Sequence, residues 1–224
     1  MHAQSRSAGP SSHSAGTSAA DRAYAHVKDG ILNGSYPGGT FLTEGQIATD
    51  VEVSRTPVRE ALLRLEAEGL LSLHPKKGAL VVSVSGKEAD GILEARELIE
   101  TWATPHAFNR RDVLVERLRP LLQQMRDHRS HGAITAFTET DRAFHEEIVA
   151  AAGNDVLTRF YRSLRERQLC INAAAMRVDD QRMDVAIADH QAMVDALSDA
   201  DDSTFADLVI DHVQRAAGRA RGLR

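Results

Sequence analysis

The stretch from Ser54 to Leu70, followed by a Lys76-Lys77-Gly78 turn, constrains this chain more than any other part of it. At about 100° per residue, Val58, Ala61, Leu62 and Leu65 fall on one side of a helix as a buried stripe. Arg55, Thr56, Arg59 and Arg64 then point outward. Ser54 suits the N-cap position, and Pro57 lies in the first turn, where no helical donor is needed. Short polar and guanidinium groups at a helix N-terminus can enter a major groove and reach phosphates or guanine edges. Taken alone, the same helix would serve equally well as a solvated element of an ordinary bundle.

The flanking segments decide between these uses. Thr43-Glu-Gly-Gln46 has the form of a capping box and opens a short helix through Ile47 and Ala48. Asp50 to Val53 form a turn into Ser54. Earlier, Ala23, Tyr24, Val27, Ile31 and Leu32 have helical spacing, and Asn33-Gly34 with Pro37-Gly38-Gly39 ends that helix. Later, Leu70–Leu73 and Leu80–Val84 are strand candidates around His74-Pro-Lys-Lys-Gly78. Helix, helix, turn, helix and two-stranded wing make a winged helix-turn-helix, a DNA-reading module.

Residues 41–84 resemble the DNA-binding domain of GntR-type bacterial transcription regulators. The resemblance rests on Val53-Ser-Arg-Thr-Pro-Val-Arg-Glu-Ala-Leu62, then Leu65-Glu66, Glu68-Gly69-Leu70 and Gly78. It implies a double-stranded DNA operator as partner, contacted through Thr43, Ser54, Arg55, Thr56, Arg59, Lys76, Lys77 and Gly78. Two positions depart from the pattern. Glu52 stands where the family has a small residue or glycine, and Gly45 stands where many members carry a DNA-contacting arginine.

A length of 224 residues accommodates a small reader domain and a larger core, and 42% hydrophobic with only 4% aromatic residues points to aliphatic, helical packing. Three divisions follow: a disordered tail over 1–19, rich in Ser, Ala, Gly and His; a reader over 20–84; and a helical domain over 85–224. The tail lacks the apolar core of a signal peptide, and no run approaches the ~18 apolar residues of a membrane span. Cys170 is the only cysteine, so a reducing cytoplasm is expected. The net charge of −5 is spread over both parts: residues 20–85 carry 7 Lys/Arg against 8 Asp/Glu, and 86–224 carry 19 against 24. The reader's cations are concentrated on one helix and the wing tip, so DNA binding should depend on a few placed contacts.

Ser85-Gly-Lys-Glu88 is a second capping box and marks the domain boundary. Beyond it lie six helical segments, about 86–109, 112–130, 133–151, 154–175, 180–198 and 202–221, with Pro105 and Pro120 expected to kink the first two. The fold class is therefore mainly α: an N-terminal winged helix-turn-helix and a C-terminal antiparallel helical bundle.

Four polar residues occupy apolar positions of that bundle. The inward stripes read Phe137, Asp141, Phe144, His145, Ile148, then Ile187, His190, Val194, Leu197, then Phe205, Leu208, Val209, His212, Ala216. Buried carboxylates and imidazoles are costly unless paired or bound to metal. Asp141 and His145 lie one turn apart on one face, and one carboxylate with three imidazoles suits Zn²⁺, Ni²⁺ or Mn²⁺. A single histidine on such a face is more often a hydrogen-bonded core residue. Residues 86–221, however, resemble the FCD-type ligand-binding domain of the FadR-like branch of GntR regulators, and six helices place them with the shorter variant named after vanillate regulators. That resemblance implies one divalent metal per chain on Asp141, His145, His190 and His212. The remaining seven histidines have no partner at ligand spacing.

Arg96, on the Ile92–Ile99 stripe, is open to two readings: it pairs with a glutamate or snorkels at the edge of the stripe, or it fixes a carboxylate effector. The expectation is a homodimeric, metal-containing repressor released from a palindromic operator by a small organic acid. The alternatives are a metal-dependent enzyme on a helical bundle and a regulator that senses the metal itself.

Overall fold

The computed structural model describes residues 17–221, which form ten helices and one three-stranded sheet. The first helix, α1 (Ala19–Leu32), is capped by Ser18, whose hydroxyl accepts from Asp21 N at 3.0 Å. Helix therefore begins inside the stretch expected to be a disordered tail. The rest of that expectation, residues 1–16, lies outside the described residues. Thr43 caps α2 (Glu44–Asp50) by accepting from Gln46 N, as its capping box requires. Ser54 is the N-cap of α3 (Arg55–Ala67), but its side chain makes no capping bond.

The reader core closes where the periodicity placed it. Val58, Ala61, Leu62 and Leu65 of α3 pack on Ala23, Val27 and Ile31 of α1 and Ile47 of α2. Removing one such leucine side chain would cost about 2–5 kcal/mol. The wing is β2 (Leu71–His74) paired antiparallel with β3 (Gly78–Val81), with Leu73 opposite Ala79. A third strand, β1 (Phe41–Leu42), joins the far edge of β3, so the sheet order is β1-β3-β2 and the wing is not two-stranded. Two residues are too short for an alternating pattern to show in the sequence. Gly78 is required here: its φ is +107°, and a Cβ would stand 2.3 Å from the Leu42 carbonyl oxygen.

Seven helices follow: α4 (Gly86–Phe108), α5 (Arg111–Ser130), α6 (Ile134–Ala151), α7 (Asp155–Ser163), α8 (Arg165–Val178), α9 (Gln181–Ser198) and α10 (Asp202–Arg221). Ser85 accepts from Glu88 N and caps α4, and α4 and α5 continue through Pro105 and Pro120. The segment read as one helix over 154–175 is two, because the chain turns at Leu164. The Arg142 guanidinium explains the break. It donates to the Tyr161 carbonyl at 2.9 Å, competing for an oxygen that α-helical continuation would use, and Leu164 N reaches the same oxygen in a tighter turn. α4 packs against α6 and α10, and α5 packs against α6 and α9. Phe144, Ile148, Val194, Leu197, Phe205 and Val209 form the centre of the main bundle core.

α8 is the element shared by both parts. Its Leu169 and Ala173 enclose Leu32 of α1, and Cys170 packs on the reader core. Lys28 of α1, buried, lies 3.1 Å from Glu166 and 3.3 Å from Glu139. Arg177 donates to the Leu32 carbonyl.

Candidate functional site

Asp141 and His145 from α6, His190 from α9 and His212 from α10 meet in the bundle, with one ligand atom of each within 4.8 Å of all the others. None exposes more than 8% of its surface. His145 Nε2 and His190 Nε2 face each other at 3.1 Å, and Asp141 Oδ1 is 3.7 Å from His190 Nε2. Two imidazole lone pairs at that distance repel unless a proton or a cation lies between them. Nitrogens bound about 2 Å from one tetrahedral ion would stand ~3.3 Å apart. The donor set and its spacing therefore fit a divalent ion.

The outer nitrogens are held by a second layer of groups. His145 Nδ1 lies 2.8 Å from Glu100 Oε2, close although not well aligned as a hydrogen bond. His212 Nδ1 is 2.9 Å from Asp189 Oδ2, and His190 Nδ1 faces Met125 Sδ at 3.3 Å. Protonation on these outer nitrogens leaves each Nε2 free to turn inward. Asn172 Nδ2 donates to Asp141 Oδ2 at 3.3 Å.

Glu100 was not among the expected site residues. It is wholly buried and accepts from Arg96 Nε and from the Tyr161 hydroxyl, each at 2.6 Å. Burial alone would raise its carboxyl pKa, but Arg96 and His145 outweigh that and hold it well below the usual carboxylate range. The i,i+4 spacing from Arg96 was a readable sign, though the same spacing is common on solvated helix faces. Burial depresses the His145 and His190 imidazoles, and for His190 the neighbouring His212 and His145 add to the effect. Asp189 is held low by His212 and Arg215 against its own burial.

Beside the quartet lies a cavity of ≈ 70 Å³, lined on the quartet side by Arg96, Asp141 and His212. The pairing reading of Arg96 holds, since it is bonded to Glu100; it also lines the cavity with a buried Nη2 that has no hydrogen-bond partner among the described residues. Arg182, Arg215, Asn172 and Asp189 also line it, and sequence reasoning missed all four.

On the reader, Ser54, Arg55, Thr56, Arg59, Lys76 and Lys77 are exposed, as is Thr43. Arg64, outward as expected, is occupied elsewhere: it pairs with Asp21 at 2.7 Å and lies over the Tyr24 ring. Glu52 has φ +55°, which explains why glycine suits its position. At Gly45 a Cβ would meet Arg55 Nη2 at 3.5 Å, so the missing side chain leaves room over which Arg55 extends.

Residues 19–81 match the family described as bacterial regulatory proteins, gntR family, and residues 91–215 match the FCD domain. The chain belongs to the GntR family. A probable D-xylose utilization operon transcriptional repressor of Paenarthrobacter nicotinovorans is 31% identical to this GntR-family chain over 182 residues, covering 81% of it and 79% of the relative. The gluconate operon transcriptional repressor of Bacillus subtilis is 31% identical over 150 residues, covering 66% of this chain and 61% of its own length. The E. coli McbR/YncC structure has the same fold, with a TM-score of 0.69 at 21% identity over 92% of this chain and 98% of that one. A Rhodococcus GntR regulator gives 0.70 at 17% identity over 92% of this chain and 98% of its own. The family is one of transcription regulators, not of enzymes, which removes the metalloenzyme alternative. No helix among the described residues is long and apolar enough to cross a membrane.

Proposed function

We propose that this chain is a cytoplasmic transcriptional repressor. In this reading a homodimer holds a palindromic operator through two winged helices, and a small organic acid bound in the bundle releases it. The single observation that carries it is one cavity lined by Asp141 and His212 of the buried Asp/His3 quartet and by the free edge of Arg96. Two relatives named as repressors favour repression over activation.

Asp141, His145, His190 and His212 would hold one divalent ion, and the ion would offer its remaining coordination positions to a carboxylate oxygen. Arg96, fixed by Glu100, presents a planar fork to the same carboxylate. Ile171, Asn172, Ala175 and Met176 of α8 line one wall of the cavity. Leu169, Cys170 and Ala173 of the same helix pack against the reader. An acid that repositions α8 therefore bears directly on the reader, which is the differential contact a release mechanism needs. Exposed Leu98 and Trp102 of α4, beside Ile210 of α10, favour a dimer joined through the bundle.

The test is operator binding by metal-analysed, untagged protein with a panel of organic acids. The reading expects about one divalent ion per chain, lost in His145→Ala plus His190→Ala. It also expects release of wild type, but not of Arg96→Ala, by at least one acid. Release by added metal alone would favour the metal-sensing alternative. An acid that binds wild type, Arg96→Ala and metal-free protein alike would place the site elsewhere.

A further inference from the structure

More than one arginine lines the cavity. Arg96 does so together with Asp141 and His212 of the quartet. Arg182 of α9 and Arg215 of α10 line it as well. α9 and α10 are consecutive helices joined by a short turn, hence antiparallel neighbours. Arg182 precedes His190 by two turns and is displaced along α9 from the quartet, whereas Arg215, one turn after His212, stays beside it through the shared Asp189 oxygen. Ile171, Met176, Val185 and Ala186 make part of the wall apolar, with Asn172 and Asp189 as further polar members.

Arg182 has spare capacity. The Arg182 Nε is shielded from solvent and has no hydrogen bond among the described residues, with Asp179 only at 3.7 Å. Arg215 does have a partner: its Nη2 lies 3.0 Å from Asp189 Oδ2, the oxygen that also contacts His212 Nδ1. Asp189 is thereby shared between a cation and an imidazole and cannot neutralise Arg182 as well. A monocarboxylate at Arg96 would leave the Arg182 Nε without an acceptor, whereas a second anionic group would supply one.

We propose that the effector carries two acidic groups, one at Arg96 and the second bound by Arg182 with support from Arg215: a short dicarboxylate. This rests on the reading of the cavity as the effector site. A volume of ≈ 70 Å³ has room for roughly five to seven waters. A linear diacid of about four to six carbons fills that space.

The test is calorimetric titration of the full chain, supplemented with Zn²⁺, using succinate, glutarate and adipate and their monomethyl esters. Each ester keeps the length and one carboxylate and removes the second charge. At least one diacid should bind wild type about tenfold or more tightly than its ester. Arg182→Gln plus Arg215→Gln should reduce that diacid to the level of the ester and leave the ester within about twofold of its wild-type affinity. Arg182→Lys should restore part of the preference, and unchanged melting curves would show that the variants fold. Equal binding of diacid and ester to wild type, or a preference that survives the double substitution, overturns the inference. If the esters bind in an Arg96-dependent way without a diacid advantage, only the second subsite fails. If no acid binds, or Arg96→Ala changes nothing, the effector-site reading fails and this inference falls with it.

Discussion

Glu100 shows how much of a candidate metal site can lie outside its donor residues. It touches His145 of the quartet, Arg96 and the Tyr161 hydroxyl at once, with no exposed surface. Glu100→Gln keeps the shape and removes the charge, so His145 loses its orienting carboxylate and Arg96 its counter-ion. Competition against a chelator should show metal affinity falling about 10–100-fold. Equal affinity in the variant would mean that His145 is positioned by packing alone. A pH effect follows from the imidazoles. Burial depresses both His145 and His190 below the ordinary value near 6.5, so at mildly acid pH the unfolded chain takes up protons that the folded chain refuses. Stability of the metal-free protein is thus fully present above about pH 6.5 and is lost as pH falls. Chelator-treated protein should melt at a lower temperature at about pH 5.5 than at about pH 7.5, and an equal or higher Tm would show these rings charged in the fold. The quartet was legible because polar residues interrupted apolar stripes. Arg182, Arg215 and Asp189 were not, because a charged residue on a helix that also has a solvated face carries no mark of the cavity it lines.

At the scale of elements, legibility followed length and locality. α1 announced itself by helical spacing and a stop at Asn33-Gly34, α2 by a capping box, and α3 by an N-cap and a 3.6-residue stripe, and the structure has all three helices there. β1 was invisible because it is defined by its partner β3, which lies far along the chain. The break between α7 and α8 was invisible because its cause, Arg142, is on another helix. The recognition helix gives a prediction of its own. Arg55 and Arg59 are exposed on α3, with Lys76 and Lys77 at the wing tip. Arg59→Ala should cost ~1–3 kcal/mol at the operator if the side chain is bidentate to guanine, whereas the wing lysines should weaken all sequences alike. Gel-shift titrations on operator and scrambled DNA separate the two. Intact operator affinity in Arg55→Ala plus Arg59→Ala would remove α3 as the reading helix.

For the whole molecule, the decisive quantity is how little charge it brings to DNA. Net charge is −5, and the stretch 20–85 is itself slightly acidic, with 7 Lys/Arg against 8 Asp/Glu. Light scattering should return twice the mass of one chain at micromolar concentration. A dimer offering Arg55, Arg59, Lys76 and Lys77 twice presents about eight cations, so the slope of log K against log salt should be no steeper than about −7. A steeper slope would require a basic surface that this reading does not include. The seam between reader and bundle has one more consequence. Cys170, the sole thiol, is set into that seam, and burial pushes it up to about 11, leaving about a hundredfold less thiolate than an ordinary cysteine at the same pH. Alkylation of Cys170 should therefore be slow while the seam is shut, and an effector that parts reader from bundle should quicken it, so iodoacetamide tests for such an opening without any added label.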